Sequence, residues 1–240
     1  MPLTIWSIAP GWSNINGDSG NAEVLAVRGR WRGAETELIA VEPGDVPASA
    51  PDAIIVGSGF DADIDEVLAG LRTIESVILA AIADGAPLLA VGTGWELLSQ
   101  SLTLAPGEER AGLGIFSGRA IPGDFRTGDA VVDSAFGQLI GYEYHVRDYI
   151  LGVGESPLGR VIHGSGNAPG TAVEGATVGT AYGTSLRGPV LARNPQFADH
   201  ILDLAAAHAG IEFGDVAPEL ARADAWQADV TARTLASLRA

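Results

Sequence analysis

Short apolar runs alternate with helix-length amphipathic stretches over the first hundred residues. Leu3–Ile8 predicts a strand, and a turn-rich segment, Asn14-Ile15-Asn16-Gly17-Asp18-Ser19-Gly20-Asn21, follows it. A helix is predicted through Glu23–Arg28 and a strand at Glu37–Val41. Ala53-Ile54-Ile55-Val56 has the composition of a fully buried strand and stops at Gly57-Ser58-Gly59. From about Ile64 to Ala83, the apolar residues Val67, Leu71, Ile74, Ile78 and Ile82 recur at spacings of three or four, which predicts one long helix. Pro87–Val91 is a further short strand, with a helix opening near Gly94. Strands and helices alternating through short loops imply a mostly parallel sheet covered on both faces, an α/β fold.

Residues 103–186 change character, being rich in glycine and threonine with short β-prone pieces such as Ala130–Val132 and Thr177–Gly179. They predict further strands and loops. A helix returns at Pro195–His208, where Phe197, Ile201, Leu202 and Leu204 form an apolar side. A last helix is expected over Pro218–Arg239, with Pro218 in its first turn and Trp226, Val230, Leu235 and Leu238 apolar. These apolar residues are expected to pack on the chain's own core, as amphipathic helices usually do; a docking face for a partner is the alternative. No repeat, low-complexity tract or linker interrupts the chain, so one domain with a C-terminal helical extension is the simplest division.

Composition narrows the chemistry. A hydrophobic fraction of 47% is ample for a core, and the formal net charge is −16 from 30 acids and 14 bases. Such an acidic chain is repelled by nucleic acid and by anionic membrane, so neither is expected as a partner. There is no cysteine, hence no disulfide, thiolate metal site or cysteine nucleophile. All 14 basic residues are arginine, which removes a Schiff-base lysine and a P-loop lysine. Gly57-Ser58-Gly59 after a strand is a common tight turn and by itself indicates no nucleotide, and His200 and His208 are wrongly spaced for a metal pair, so no cofactor or metal is expected. Met1–Trp6 lacks the basic region of a secretory signal, and the longest apolar stretch, Ser76–Trp95, is interrupted by Asp84, Gly85 and Pro87. A cytoplasmic location without a membrane span is therefore expected.

Several stretches in order resemble the amidotransferase subunits of lipid II isoglutaminyl synthase, the GatD family, in the cobyric-acid-synthase-like (CobB/CobQ-like) branch of class I glutamine amidotransferases. Asn16-Gly17-Asp18-Ser19-Gly20-Asn21 is similar to the family's "YGDRGN" and Gly57-Ser58-Gly59-Phe60-Asp61 to "GGGQD". Gly141-Tyr142-Glu143-Tyr144-His145 resembles "GFENH", and Pro157-Leu158-Gly159-Arg160-Val161 resembles "PLGKV". Gly164-Ser165-Gly166-Asn167, Glu174-Gly175-Ala176 and Gly183-Thr184-Ser185-Leu186-Arg187-Gly188-Pro189 are similar to "GNGN", "EGA" and "GTYLHGP". The resemblance implies a three-layer class I amidotransferase fold over residues 1–210, with 211–240 as a helical extension of the same domain. It also implies a heterodimer with a Mur-ligase-like partner, MurT, which amidates the α-carboxyl of D-glutamate in peptidoglycan precursors.

Glutamine hydrolysis requires a thiolate nucleophile, a histidine to manage protons and backbone N–H groups for the oxyanion. By the resemblance, Leu88-Leu89-Ala90-Val91-Gly92-Thr93-Gly94-Trp95-Glu96 matches "LAICGGYQ", so Gly92 stands at the cysteine position and Glu96 at a glutamine position. Arg187 stands at the histidine position, and an arginine is too basic to act as a general base. The expectation is a catalytically degenerate subunit. Gly57, Ser58, Gly59, Thr93, Gly94, Glu96, Arg126 and His145 are candidate pocket residues, with Arg126 a candidate carboxylate ligand and a surface arginine as the alternative. The old pocket is expected either to bind an amino acid or other small anion or to be plugged by Arg187, with an Arg187–Glu96 ion pair as the mark of a plug. Two other readings stay open: an active enzyme using Thr93 with His145, and a free-standing small-molecule binding module.

Overall fold

The computed structural model describes residues 1–105 and 107–238. The elements run β1 (Leu3–Ile8), α1 (Gly20–Trp31), β2 (Thr36–Val41), β3 (Ala53–Val56), α2 (Ile64–Thr73), α3 (Glu75–Ala83), β4 (Leu88–Val91) and α4 (Thr93–Leu98). The second half follows as β5 (Ser101–Thr103), β6 (Glu109–Ala111), β7 (Arg119–Ser134), β8 (Gly137–Ile150), β9 (Gly159–His163), β10 (Val173–Glu174), β11 (Ala176–Val178) and β12 (Ala181–Thr184). Helices α5 (Val190–Arg193), α6 (Pro195–Ala209) and α7 (Pro218–Ser237) close the chain.

The central sheet has the order β11-β12-β4-β3-β1-β2 and is parallel except for β11 at its edge. Its inner strands are buried on both faces, and successive side chains feed two separate cores. Trp6, Ile8, Ile54, Val56, Leu88 and Ala90 pack with Val67, Leu71 and Ile78 of α2 and α3. Leu3, Ile5, Ala53, Ile55, Leu89 and Val91 face the other way, onto Leu25 of α1 and Phe197 and Ile201 of α6. The fold is therefore the three-layer α/β arrangement. A second sheet, β10-β9-β7-β5-β6 with β8 paired to β7, stands beside it. Trp95 of α4 stacks on Tyr149 of β8, their centroids 3.8 Å apart, and joins the two sheets next to the strand–helix turn at Gly92.

Three expectations from the apolar pattern change. The single helix expected over Ile64–Ala83 is two, broken at Ile74 (φ −114, ψ 8), where the Thr73 hydroxyl donates to the Gly70 carbonyl at 2.6 Å and competes with the helix ladder. The β-prone fragment at Ala130–Val132 is part of a long hairpin, β7 against β8, with a register shift between Pro122 and Arg126. That hairpin also holds Glu143 and His145, while His163 ends β9. Third, the apolar residues of the last helix do not join the core: α7 buries no residue, and Trp226 is 79% exposed. Arg239, the expected end of that helix, lies outside the described residues.

What holds α7 is polar. Arg28 of α1, itself buried, donates to both oxygens of Asp199 in α6 at 2.9 and 2.7 Å and to Asp224 of α7 at 2.7 Å. The entering chain is clipped by Ala217 N–H donating to the Trp31 carbonyl at 2.7 Å. Asp224→Ala is expected to speed amide exchange along α7 while leaving the global unfolding midpoint nearly unchanged. Arg28→Ala, which strands two carboxylates, should lower global stability by about 1–3 kcal/mol. Native-state hydrogen exchange and urea denaturation read the two effects.

Candidate active site

The turn from β4 into α4 brings the site together. Gly92 adopts φ 54, ψ −120, a conformation that strains any residue with a Cβ and aims position 92 away from the sheet. The turn is held from behind by close backbone approach, because a Cβ on Gly94 would overlap the Gly57 carbonyl oxygen. The first helical amide, Thr93 N–H, donates to the Ser58 hydroxyl at 3.2 Å, and the Thr93 hydroxyl donates to the Gly59 carbonyl at 3.1 Å. The two hydroxyls lie 3.1 Å apart. A backbone donor of the kind an oxyanion needs is thus already bonded within the chain.

Arg187 fills the space above Gly92. Its amide donates to the Tyr142 carbonyl at 2.9 Å, which fastens the segment after β12 to β8. Its guanidinium turns inward, and a Cβ built on Gly92 would overlap both Nη1 and Nη2. Nη1 is 3.4 Å from Asp18 Oδ2, and Nη2 donates to the Tyr144 carbonyl at 3.1 Å. Only 4% of the Arg187 side chain is exposed, and Asp18 is fully buried. The Arg187–Glu96 ion pair named as the mark of a plug is not formed: Glu96 is engaged with Arg147, and Asp18 from the turn before α1 meets Arg187.

Burial pushes the Asp18 carboxyl up to about 6, against the opposing pull of Arg187 and of the Ser58 N–H, which Oδ2 accepts at 3.2 Å. A second buried acid lies nearby. Glu174 accepts the Thr184 hydroxyl at 2.9 Å and the Ser185 N–H at 2.7 Å, yet burial still pushes it up to about 7. Neither acid stands out as a candidate in the sequence, although both lie inside motifs that carry the resemblance.

Beside Arg187 opens a pocket of 540 Å³. Ser58, Gly59, Thr93, Glu96, His145 and Arg187 line it. Arg147, which the sequence did not indicate, forms one wall. Its Nε donates to Glu96 Oε2 at 2.7 Å, and Nη1 and Nη2 donate to Asp61 at 2.9 and 2.7 Å. Burial alone would lower the Arg147 pKa, but the bonds to Asp61 and the charge of Glu96 raise it well above the usual range. Both guanidiniums at the pocket are thus already matched by carboxylates. His145 places Nδ1 3.0 Å from the Arg147 carbonyl, and burial holds its pKa down. Gly57 and Gly94 lie behind the lining. Arg126 is in a different place: it pairs with Asp148 and borders a separate depression with Gly164 and Ser165. Among the described residues no cluster of His, Cys, Asp or Glu has the geometry of a metal site, and no helix is long and apolar enough to cross a membrane.

Residues 12–195, which include the Gly92 turn, Arg187 and the whole pocket, match the CobB/CobQ-like glutamine amidotransferase domain. The chain belongs to this family. Among curated proteins it is 30% identical over 214 residues to the glutamine-hydrolysing lipid II isoglutaminyl synthase subunit GatD of Staphylococcus aureus, covering 88% of this chain and 87% of that one. The GatD subunit of Streptococcus pneumoniae is 26% identical, covering 80% and 76%. A crystal structure of a glutamine amidotransferase superposes with a TM-score of 0.58 at 17% identity, over 84% of this chain and 98% of that one, and shows the shared fold. The chain is a GatD-like member of the class I glutamine amidotransferases, with Gly92 at its strand–helix turn and Arg187 above it.

Placing a side chain at position 92 carries a cost. Gly92→Cys alone should destabilise by at least about 2 kcal/mol, because the new side chain displaces a buried guanidinium. Adding Arg187→His should recover part of that loss, and urea denaturation of the four proteins of the cycle measures the coupling. Stability should also depend on pH. Asp18 and Glu174 bind protons more tightly folded than unfolded, so they favour the folded state at low pH, and their contribution is lost as pH rises through about 6 and about 7. His145 and His200, whose pKa burial lowers, act the opposite way, so the acids are read by comparison: lowering pH from 8 toward 5.5 should raise the urea midpoint of the native chain relative to that of Glu174→Gln. That difference should be largest across about pH 7, where Glu174 loses its proton.

Proposed function

We propose that this chain is a non-hydrolysing GatD-like subunit of a MurT-like Mur ligase, which modifies the D-glutamate α-carboxyl of peptidoglycan precursors with an amine from a source other than glutamine. The observation that carries the reading is the Arg187 guanidinium lying where a side chain on Gly92 would project. A glutamine carbonyl approaching the turn would meet a cation and no nucleophile, and removing a triad nucleophile costs about 10⁶ in rate in a well-studied serine protease. The coverage of both GatD relatives, including most of their length, supports a role as the same kind of subunit.

In this reading the partner activates the acceptor carboxylate with ATP, and the GatD-like chain contributes association and a reshaped pocket. An enzyme using Thr93 as nucleophile is disfavoured by its bonding. The Thr93 hydroxyl is engaged with Ser58 and Gly59, and His145 turns Nδ1 to a backbone carbonyl instead.

Affinity purification of the tagged full chain from its native cells, with mass spectrometry of retained proteins, is the first test. A near-stoichiometric Mur-ligase-like protein is expected, and the purified pair should release no ammonia from glutamine above the level of the Arg187→Ala variant. A chain recovered without any ligase, or glutaminase activity that depends on Thr93, would overturn the reading.

A further inference from the structure

The pocket beside Arg187 has an unusual balance of donors and acceptors. Arg147 is shared between Glu96 and Asp61, and Arg187 is taken up by Asp18 and the Tyr144 carbonyl. Three carboxylates therefore face two guanidiniums, and no cation is left over for an anionic ligand. Asp61 is the more open of the carboxylates, with half its side chain exposed.

His145 supplies an independent sign of a ligand. It lines the pocket at 7% exposure, and its Nδ1 lies 3.0 Å from the Arg147 carbonyl. A carbonyl oxygen only accepts, so Nδ1 carries the ring proton and Nε2 presents a lone pair. That nitrogen is buried and has no hydrogen-bond partner among the described residues. Burial lowers the His145 pKa against the bond to the Arg147 carbonyl and the field of Glu143, and Arg126 and Arg187 act in the same direction as burial. A buried acceptor without a donor is costly, and a ligand carrying N–H groups would satisfy it.

We propose that this pocket binds the primary ammonium group of a small amine, which donates to His145 Nε2 and to the carboxylates of Glu96 and Asp61. This rests on the reading of the chain as a subunit whose ligase uses an amine other than one released from glutamine, and it assigns that amine a holding site. It replaces the small anion expected from the arginines alone, because both guanidiniums are already neutralised. Arg147 becomes a positioning residue that holds Glu96 and Asp61 at the wall.

The test uses the isotope-labelled full chain titrated with methylammonium chloride, tetramethylammonium chloride or sodium acetate at constant ionic strength and about pH 7.5, where the His145 ring is neutral. Methylammonium is expected to give saturable shifts at the Ser58 and Thr93 amides and at the His145 ring, whereas tetramethylammonium, with equal charge and no N–H donor, gives none that saturate. His145→Phe and Glu96→Gln should each weaken the response about tenfold, with the amide spectrum confirming that each variant is folded. Equal responses to the two cations, saturation by acetate, or undiminished binding in both variants would overturn the assignment. Incorporation of labelled methylammonium by the ligase complex is read separately. Incorporation without binding to this chain sinks the pocket assignment alone, while binding by a chain that recruits no ligase sinks only the functional reading.

Discussion

A guanidinium closed off from water must find acceptors for its N–H groups, and the structure around Gly92 is arranged by how Arg187 meets that demand. Asp18 supplies the charge from the turn before α1, and Tyr144 supplies a carbonyl from β8. Asp18 is in turn held by the Ser58 amide of the segment after β3. One side chain thus ties together three regions distant in sequence. It also dictates the residue beneath it, because any side chain at 92 would enter the volume of the guanidinium. The match is incomplete, since Arg187 Nε and Asp18 Oδ1 have no partner among the described residues.

The second cluster obeys the same rule at the pocket wall. Arg147 would be expensive to bury alone, and Asp61 and Glu96 make it tolerable by bonding all three of its guanidinium nitrogens. Glu96 belongs to α4, Asp61 to the turn before α2, and Arg147 to the long hairpin, so the wall exists only when both sheets are in place. The stacking of Trp95 on Tyr149 supplies the apolar part of that junction. Polar and apolar contacts together set the distance between the turn at Gly92 and the inner face of β8.

The turn at Gly92 is held in place without any side chain at that position. Its conformation is imposed by β4 in the parallel sheet, by the contact between Gly94 and the Gly57 carbonyl, and by the Ser58 hydroxyl bonded to the first amide of α4. None of these depends on the side chain at position 92. The scaffold thus fixes this strained turn without help from a side chain at position 92, which is why fold membership and catalytic competence are separate questions.

Much of this architecture is legible along the chain. Buried strands such as Ala53–Val56 and Leu88–Val91 announce themselves because apolar residues without alternation suit a sheet covered on both faces. Gly92 and Arg187 also stand inside the ordered motifs, which brings both to notice before the fold is known. The long hairpin was not legible, because Pro122, Gly123, Gly128 and a register shift interrupt the alternation of its first strand. Nor was the isolation of Trp226, since whether an amphipathic helix finds a core depends on the surface it meets. Above all, pairing was decided only in three dimensions. Asp18 rather than Glu96 meets Arg187, Arg147 captures Glu96, and Arg126 is held by Asp148 away from the pocket. Residue type states that a buried charge needs a partner, but distance alone selects it. That distance is set by how strands and turns far apart in sequence are stacked.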